Sequence, residues 1–293
     1  MPESYTHIRI GKYAAQKANY QVRYPAVFAI GCQGPDILFC YQAWKSGKHR
    51  NIDLPKLASR IHHEKTGEFL QNLLCIASTS VQREYAAGFL CHYAADCTIH
   101  PYVEYLTQPK QLYDGVGGHG CFETALDSFL HKYDGGSGLV TLEDSCPALK
   151  DFQIREIAIL LEKVIETTFG IQVQYHFIQD SYYHSRILHR IFVSRWRIKW
   201  AICWAVERLI FKQPSFITGH FTPMRFKQPL PKRWFHSAKN KWIQTNIAQL
   251  IEQAENRAAE LLQGYFRHEQ KEIPWESMKD CIGNYDYNTG ASI

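Results

Sequence analysis

The chain has 293 residues, of which 45% are hydrophobic and 21% are charged, and its formal net charge is +5. This composition excludes a disordered chain, and 18 glycines and 12 prolines are too few for a fibrous or low-complexity protein. No run of about 20 uncharged apolar residues occurs, which excludes a membrane-spanning helix.

The amino end and the cysteines favour a cytoplasmic protein. The segment from Met1 to His7 lacks the basic start, the apolar centre and the cleavage site of a secretory signal, so we expect the mature chain to start near Met1. Nine cysteines, an odd number, are spread from Cys32 to Cys281 without CxxC spacing. This usage predicts reduced thiols and no disulfides.

Six segments carry apolar residues at steps of three and four, which predicts long helices. In chain order they are residues 57–78, 84–106, 121–133, 153–169, 182–211 and 242–266. The best alternating run, 171–178, is short and lies between helical patterns. The sequence therefore predicts an all-α fold, with a single multi-helix bundle as one domain over residues 1–293.

Glycine and proline separate these segments. The run Gly-Gly-Ser-Gly at 135–138 is the best candidate for a hinge. The basic stretch 218–234 is the one long candidate linker, and no internal repeat is present.

Two histidine and carboxylate pairs stand one helical turn apart. His92 and Asp96 share a helix face because residues four apart project to the same side, and so do His119 and Glu123. His100 follows four residues after Asp96, where we expect the next residue, a proline, to start a new direction of the chain and to turn this imidazole toward a second centre. Each pair can chelate a metal ion.

Two upstream pieces add ligands of the same kind. Asp36 lies on a tight Gly-Pro-Asp turn, where a turn or helix-cap role is the alternative to a metal ligand. His62 and His63 are adjacent, and only one of them can face inward because helical neighbours point about 100° apart. We prefer His62. Histidine and carboxylate without CxxC pairs suit a hydrolytic zinc ion, which keeps one position open for water.

The order of these residues resembles the bacterial zinc-dependent phospholipase C family. The resemblance covers residues 7–123 and implies an all-α fold whose trinuclear zinc site hydrolyses phospholipid phosphodiesters. It implies a zinc cofactor of two or three ions and a phospholipid or other phosphodiester substrate. The family pattern places Asp36, His62, His92 and Asp96 on one zinc ion and His100, His119 and Glu123 on a second.

The resemblance also implies a third zinc ion and a catalytic base. Asp96 would bridge toward the third ion, and His7 matches the family's histidine in the first helix. The family's amino-terminal tryptophan is missing here, and the amine of Pro2, exposed after removal of Met1, is a candidate substitute. Asp36 would be the general base, because the family's equivalent carboxylate touches both zinc and the attacking water.

Some neighbours of these ligands have open or lesser roles. Asp127 and His131 continue the stripe of His119 at four-residue steps, either as partners that orient ligands or as a polar helix face. Three nearby cysteines point away from the metal-facing side and are interpreted as core packing: Cys91, Cys97 and Cys121.

The second half of the chain is basic and aromatic. Trp196, Trp200 and Trp204 recur at steps of four among arginines and lysines. We favour packing of this stripe into the core over peripheral contact with a membrane, which segment 190–242 also suits. Lysines interleaved with Trp234 and Trp242 could attract phosphate groups of a lipid or a nucleic acid.

Two further functions are alternatives to the phospholipase hypothesis. Zinc-dependent single-strand nucleases share the fold and nearly the same ligand order, but their last carboxylate is typically aspartate, whereas this chain has Glu123. We therefore expect no obligate nucleic acid partner. A non-catalytic relative that keeps the metal ligands is the third reading. Clustered histidine and carboxylate ligands also suit iron or manganese.

Overall fold

The structure is a computed structural model and describes residues 4–211 and 215–293. It is made of helices joined by turns, with a small antiparallel pair of strands, which confirms the all-α prediction. The helices are α1 (Ser4–Lys17), α2 (Pro25–Gly31), α3 (Leu54–His63), α4 (Thr66–Ile76), α5 (Ser80–Thr107), α6 (Gly118–Tyr133), α7 (Leu142–Ser145), α8 (Asp151–Phe169), α9 (Tyr175–Phe192), α10 (Ile198–Val206), α11 (Ile247–Glu269) and α12 (Trp275–Ile282). The strands are β1 (Arg233–His236) and β2 (Lys241–Gln244), and short 3₁₀ segments include Gly34–Cys40 and Thr218–His220.

Helix α5 is the central element, surrounded by α1, α2, α6, α8 and α11. It begins at a capping box, in which the Thr79 side chain accepts from the Gln82 backbone N–H and the Gln82 side chain accepts from that of Thr79. The expected change of direction at Pro101 is wrong, since α5 continues to Thr107. Proline removes one helical hydrogen bond, but the completely buried Tyr102 and Val103 that follow keep the helix in line.

Three of the six predicted helices are divided in the structure or begin in a strand, and the other three differ only by a few residues at their ends. The predicted helix 57–78 is two helices, because Lys65 adopts a left-handed conformation with φ of 53°. The break lets α3 pack on the 3₁₀ segment Gly34–Cys40 while α4 packs on α8. The predicted helix 182–211 divides into α9 and α10 at Val193, which pairs with Thr222 in an isolated bridge.

The third correction concerns residues 242–266. Trp242 belongs to β2 and lies opposite Phe235 of β1. Helix α11 begins only after Asn246, whose side chain accepts from the Gln249 N–H and so caps the first turn. Trp242 therefore packs across the strand pair, with its ring 5.7 Å from that of Phe235, and not on a helix face.

The predicted hinge and the predicted linker have different outcomes in the structure. Residues 135–138 form the turn between α6 and α7, and their role as a hinge stays a prediction. Residues 218–234 are not a free linker, because Phe221 and Trp234 are 2% and 1% exposed. The sequence analysis also did not predict α1, α2 and α12, because these helices are short or have only a weak periodic pattern of apolar residues.

Helix α10 does not pack into the core as we had favoured. None of its residues is buried, and Trp196, just before it, is 79% exposed. The stripe of indoles therefore lies on the surface.

The buried side chains form one connected core from Ile10 to Tyr287. The single domain over residues 1–293 stays a prediction. Among the described residues no helix is long and apolar enough to cross a bilayer. In the same part of the chain the nine cysteines form no disulfide.

Candidate metal centre

Five elements carry the eight predicted ligands to the middle of α5. Helix α1 carries His7, the 3₁₀ segment Gly34–Cys40 carries Asp36, and α3 carries His62 near its last turn. Helix α5 supplies His92, Asp96 and His100, while α6 supplies His119 and Glu123. All eight belong to three groups of potential ligands: two of the groups share His92, and the third consists of His100, His119 and Glu123.

The backbone at Gly34 comes close to one of these ligands. Gly34 has φ of +51°, and a Cβ atom built there would lie 2.1 Å from Cδ2 of His92. Glycine is therefore required for both the conformation and the space. This close approach sets Asp36, two residues later, beside the α5 imidazole.

Asp96 is the centre of the inner part of the cluster. Its side chain is completely buried, and imidazoles from three helices surround its carboxylate. The Nε2 atom of His92 lies 3.0 Å from Oδ2, that of His62 lies 3.6 Å from Oδ2, and that of His7 lies 3.3 Å from Oδ1. The fourth imidazole, of His100, lies 3.5 Å from Oδ1.

Asp36 adds a second carboxylate on the side that is open to solvent. Its Oδ1 lies 3.1 Å from Nε2 of His62, and its side chain is 21% exposed, against 0% for Asp96. It forms one of the three groups with His7 and His92. A partly open carboxylate beside a buried cluster is suitably placed to meet a water molecule.

The outer part of the cluster lies between α5 and α6. His119 and Glu123 are in direct contact through Nε2 and Oε1, and Nε2 of His100 lies 3.8 Å from the same Oε1. The His119 side chain is 47% exposed, whereas Glu123 is buried. This group therefore forms the edge of the site toward solvent.

The clustering shifts the proton equilibria of its members. Burial alone would raise the pKa of the Asp36 carboxyl, but the neighbouring imidazoles of His92 and His62 hold that pKa well below its usual value. Burial alone would also raise the pKa of Asp96, but the surrounding imidazoles, above all that of His100, lower it below its usual value. Burial lowers the pKa of His92. Both carboxylates and the His92 imidazole are thus favoured in the forms that ligate metal ions.

The donor set and its spacing fit zinc. Ligands about 2.1 Å from a tetrahedral ion lie about 3.4 Å from one another, which matches the separations of 3.0 to 3.6 Å around Asp96. From the residues that the structure describes, the buried carboxylate oxygens of Asp96 accept no hydrogen bond of good geometry, and the His92 ring makes none with them either. Buried polar atoms of this kind are costly unless a bound ion satisfies them.

Neighbouring groups hold several ligands in place. The Ala58 carbonyl lies 2.7 Å from Nδ1 of His62, so Nδ1 donates and Nε2 faces the cluster. The Asp127 carboxylate accepts from the backbone N–H groups of Tyr5 and Thr6 at 3.2 and 2.8 Å and also from the Thr6 hydroxyl. Asp127 therefore secures the first turn of α1, the helix that carries His7.

Other predicted neighbours lie outside the cluster. His131 accepts from the Gly138 N–H and contacts the Tyr5 ring edge, away from the ligands. Among the described residues no cysteine belongs to a group of potential ligands. His63 is 40% exposed and bonds to Asp286 instead of entering the cluster with His62. Pro2, the candidate amine ligand, lies outside the described residues.

The sequence reading missed a contribution from the carboxyl end. Tyr287 is completely buried, with its ring 5.1 Å from that of His62 and 5.8 Å from that of His92. The Asn288 side chain contacts Nδ1 of His100. Residues 284–288 follow α12 without any recognisable spacing, so the sequence held no signal that could have found them.

The comparisons with known proteins agree with this geometry. A family model described as zinc-dependent phospholipase C matches residues 6–173, which is more than half of the chain and includes every predicted ligand. Searches of curated proteins and of solved structures gave no significant match. The chain thus belongs to the zinc-dependent phospholipase C family.

Proposed function

We propose that this protein is a zinc-dependent hydrolase that cleaves phospholipids at the phosphodiester bond on the glycerol side. The observation that carries the proposal is the convergence of imidazoles from α1, α3 and α5 on the buried carboxylate of Asp96. The family of the chain supports the reaction type.

The eight residues take three sets of roles in this proposal. Asp36, His62, His92 and Asp96 hold one zinc ion, and His100, His119 and Glu123 hold a second. His7 and Asp96 hold a third. When bound, the ions neutralise charge on the phosphodiester and lower the pKa of a water molecule.

Asp36 is the proposed general base. Its partly exposed carboxylate lies beside the cluster and has a pKa well below the usual value, because the His92 and His62 imidazoles outweigh the opposing effect of burial. It is therefore ionised, and its position at the exposed side of the cluster is where a proton of the attacking water would be accepted. A phosphorus–oxygen bond forms with the water as the bond to glycerol breaks, and the leaving alkoxide takes up a proton to give diacylglycerol.

The proposal is tested with zinc-loaded protein on a short-chain phosphatidylcholine and, in parallel, on single-stranded DNA. We expect the wild-type protein to release diacylglycerol. For Asp36→Asn we expect kcat to fall about 100-fold or more, while the other ligands still hold zinc. Asp151→Asn, in the exposed first turn of α8, is the matched control and should behave as wild type.

The other outcomes identify the competing functions. Cleavage of DNA but not of lipid would replace the phospholipase with a nuclease of the same fold. Stoichiometric zinc without cleavage of either substrate would make the protein a non-catalytic metal-binding relative. We propose a phosphodiester lipid as the partner and no obligate nucleic acid.

We also propose peripheral contact with membranes through the surface around α10. Large apolar side chains here are exposed: Trp196 is 79% exposed, Ile198 64%, Ile202 61%, Leu209 80% and Ile210 67%. Exposed apolar side chains grouped in this way are uncommon on a protein that stays in water.

The charges of the α10 surface fit anionic lipid. Arg195, Arg197 and Arg208 are exposed and stack over the rings of Trp196, Trp200 and Trp204. The acidic residue of the segment, Glu207, is buried and accepts from the backbone N–H groups at 215, 217 and 218. No exposed acidic side chain therefore opposes the arginines between residues 195 and 211.

The α10 surface is linked to the metal centre through the 3₁₀ segment Thr218–His220, which packs on both α10 and α6. The backbone of Ser215 meets Gly117, and the ring of His220 meets Gly120, both at the start of α6. Helix α6 carries the half-exposed His119.

Vesicle sedimentation tests this contact. We expect binding to vesicles with anionic lipid that weakens with salt, a loss of roughly fivefold for Arg197→Ala, and a larger loss for Trp196→Ala. Tyr133→Ala, 74% exposed at the end of α6, is the control. Equal binding by all variants would remove the α10 surface from the proposal.

We also propose a cytoplasmic location, which the cysteine usage supports and which cell fractionation tests.

A further inference from the structure

The carboxyl-terminal loop, residues 284–291, is held in shape by its own hydrogen bonds at the edge of the metal centre. The Asp286 carboxylate accepts from the backbone N–H and the hydroxyl of Thr289 at 2.7 and 2.8 Å, and the Gly290 N–H donates to the Asp286 carbonyl. The Tyr287 N–H donates to the His62 carbonyl at 2.9 Å, which ties the loop to α3. The loop lies more than 100 residues beyond the part of the chain that the family model matches.

A chain of hydrogen bonds runs from this loop to a ligand. Nδ1 of His63 lies 2.6 Å from Oδ2 of Asp286. A carboxylate only accepts, so Nδ1 carries the proton and Nε2 of His63 is left as an acceptor. The Asn288 Nδ2 atom lies 3.4 Å from this Nε2 and donates to it.

This chain fixes which way the Asn288 amide points. Because its nitrogen faces His63, its oxygen faces the other way, toward Nδ1 of His100 at 3.2 Å. His100 then donates from Nδ1, and its Nε2 keeps the lone pair toward Asp96 and Glu123, at 3.5 and 3.8 Å. An imidazole that ligates through one nitrogen is commonly oriented through the other in this manner.

We propose that Asn288 is a positioning residue for the ion held by His100, His119 and Glu123, and that His63 and Asp286 orient its amide. The inference rests on the proposed function, since it presupposes that His100 ligates zinc. It also gives a role to His63, the histidine that stays outside the cluster.

The test is a zinc titration of the full chain in competition with a chromophoric chelator. For Asn288→Leu, which removes the acceptor but keeps the size, we expect one zinc ion to bind 10- to 100-fold more weakly, with the remaining zinc unchanged. Asn288→Asp keeps an acceptor oxygen for His100 and should bind within about threefold of wild type. His63→Leu, at a 40% exposed position, should weaken the same ion by a smaller factor.

A control separates positioning from loosening of the loop. Thr289→Val removes the hydroxyl bond to Asp286 but leaves Asn288 in place, so its zinc titration should match wild type. Melting of the zinc-free proteins should be alike for the Leu and Asp variants. The inference is overturned if Asn288→Leu titrates like wild type, or if Asn288→Asp is as weak as Asn288→Leu. A wild-type chain that binds no zinc would overturn both this inference and the proposed function.

Discussion

Replacement of Asp96 by asparagine separates a metal centre from a buried network of polar side chains. The change keeps the size of the side chain but removes the charge that four imidazoles surround at 3.0 to 3.6 Å. In a metal centre the charge holds zinc, so the variant should lose clearly more stability where zinc is present than where it is chelated. In a network without metal, the imidazoles would lose their partner under all conditions.

The expected size follows from the linkage between binding and folding. An ion present at 1,000 times its dissociation constant stabilises the folded state by about 4 kcal/mol. If Asp96→Asn weakens binding about 100-fold, the zinc-dependent increment falls by about 2.7 kcal/mol. For a chain of this length this corresponds to a drop of about 4 °C in the zinc-dependent part of Tm.

The assay is thermal unfolding of wild type and variant, each with excess zinc and with a chelator. Glu84→Gln is the matched control, since Glu84 is also a buried carboxylate of α5 but accepts from the backbone N–H groups of Arg23 and Tyr24. This control should lose stability equally with and without zinc. The reasoning is refuted if Asp96→Asn loses the same 3–5 kcal/mol expected for a broken buried network with chelator as with zinc.

Three further predictions follow from single residues. Gly34→Ala should abolish zinc binding, because its Cβ would overlap the His92 ring, whereas Gly135→Ala has the same left-handed strain in open space and should bind zinc normally in a titration. Asp127→Ala should lower the free energy of unfolding by about 2 kcal/mol and reduce the zinc count by mass spectrometry, because the first turn of α1 loses its acceptor; an unchanged count would contradict this. Burial lowers the pKa of His189 to about 4, so that below about pH 6.5 the unfolded chain binds a proton that the folded chain does not bind. The free energy of unfolding of the zinc-free protein should therefore fall by up to about 3 kcal/mol between pH 6.5 and 4. In denaturant unfolding, His189→Gln should show a clearly smaller fall over the same pH range.

The pairing of the candidate ligands on α5 and α6 could be predicted because helical geometry is local. A four-residue step fixes a shared face, and so His92 with Asp96 and His119 with Glu123 were identifiable from spacing alone. The same geometry allowed only one of His62 and His63 to face inward, and of the two the structure places the preferred His62 in a group of potential ligands. The Gly-Pro-Asp turn left a turn or helix-cap role open for Asp36, which only the family resemblance marked as a ligand.

The remaining features depend on contacts between distant parts of the chain. The break at Lys65 and the passage through Pro101 are decided by what packs on either side of each helix. The exposure of α10 could not be read from a stripe of indoles, because a buried and a membrane-facing stripe have the same period. The link from Asn288 to His100 joins residues 188 positions apart and has no sequence signature.

Anomalous diffraction at the zinc edge, on crystals grown without chelator, tests the central claim most directly. The account predicts two or more zinc peaks per chain, one within bonding distance of His92 and Asp96 and one within bonding distance of His119 and Glu123. Diffraction that shows no zinc at these four side chains, with the protein crystallised in excess zinc, would contradict it.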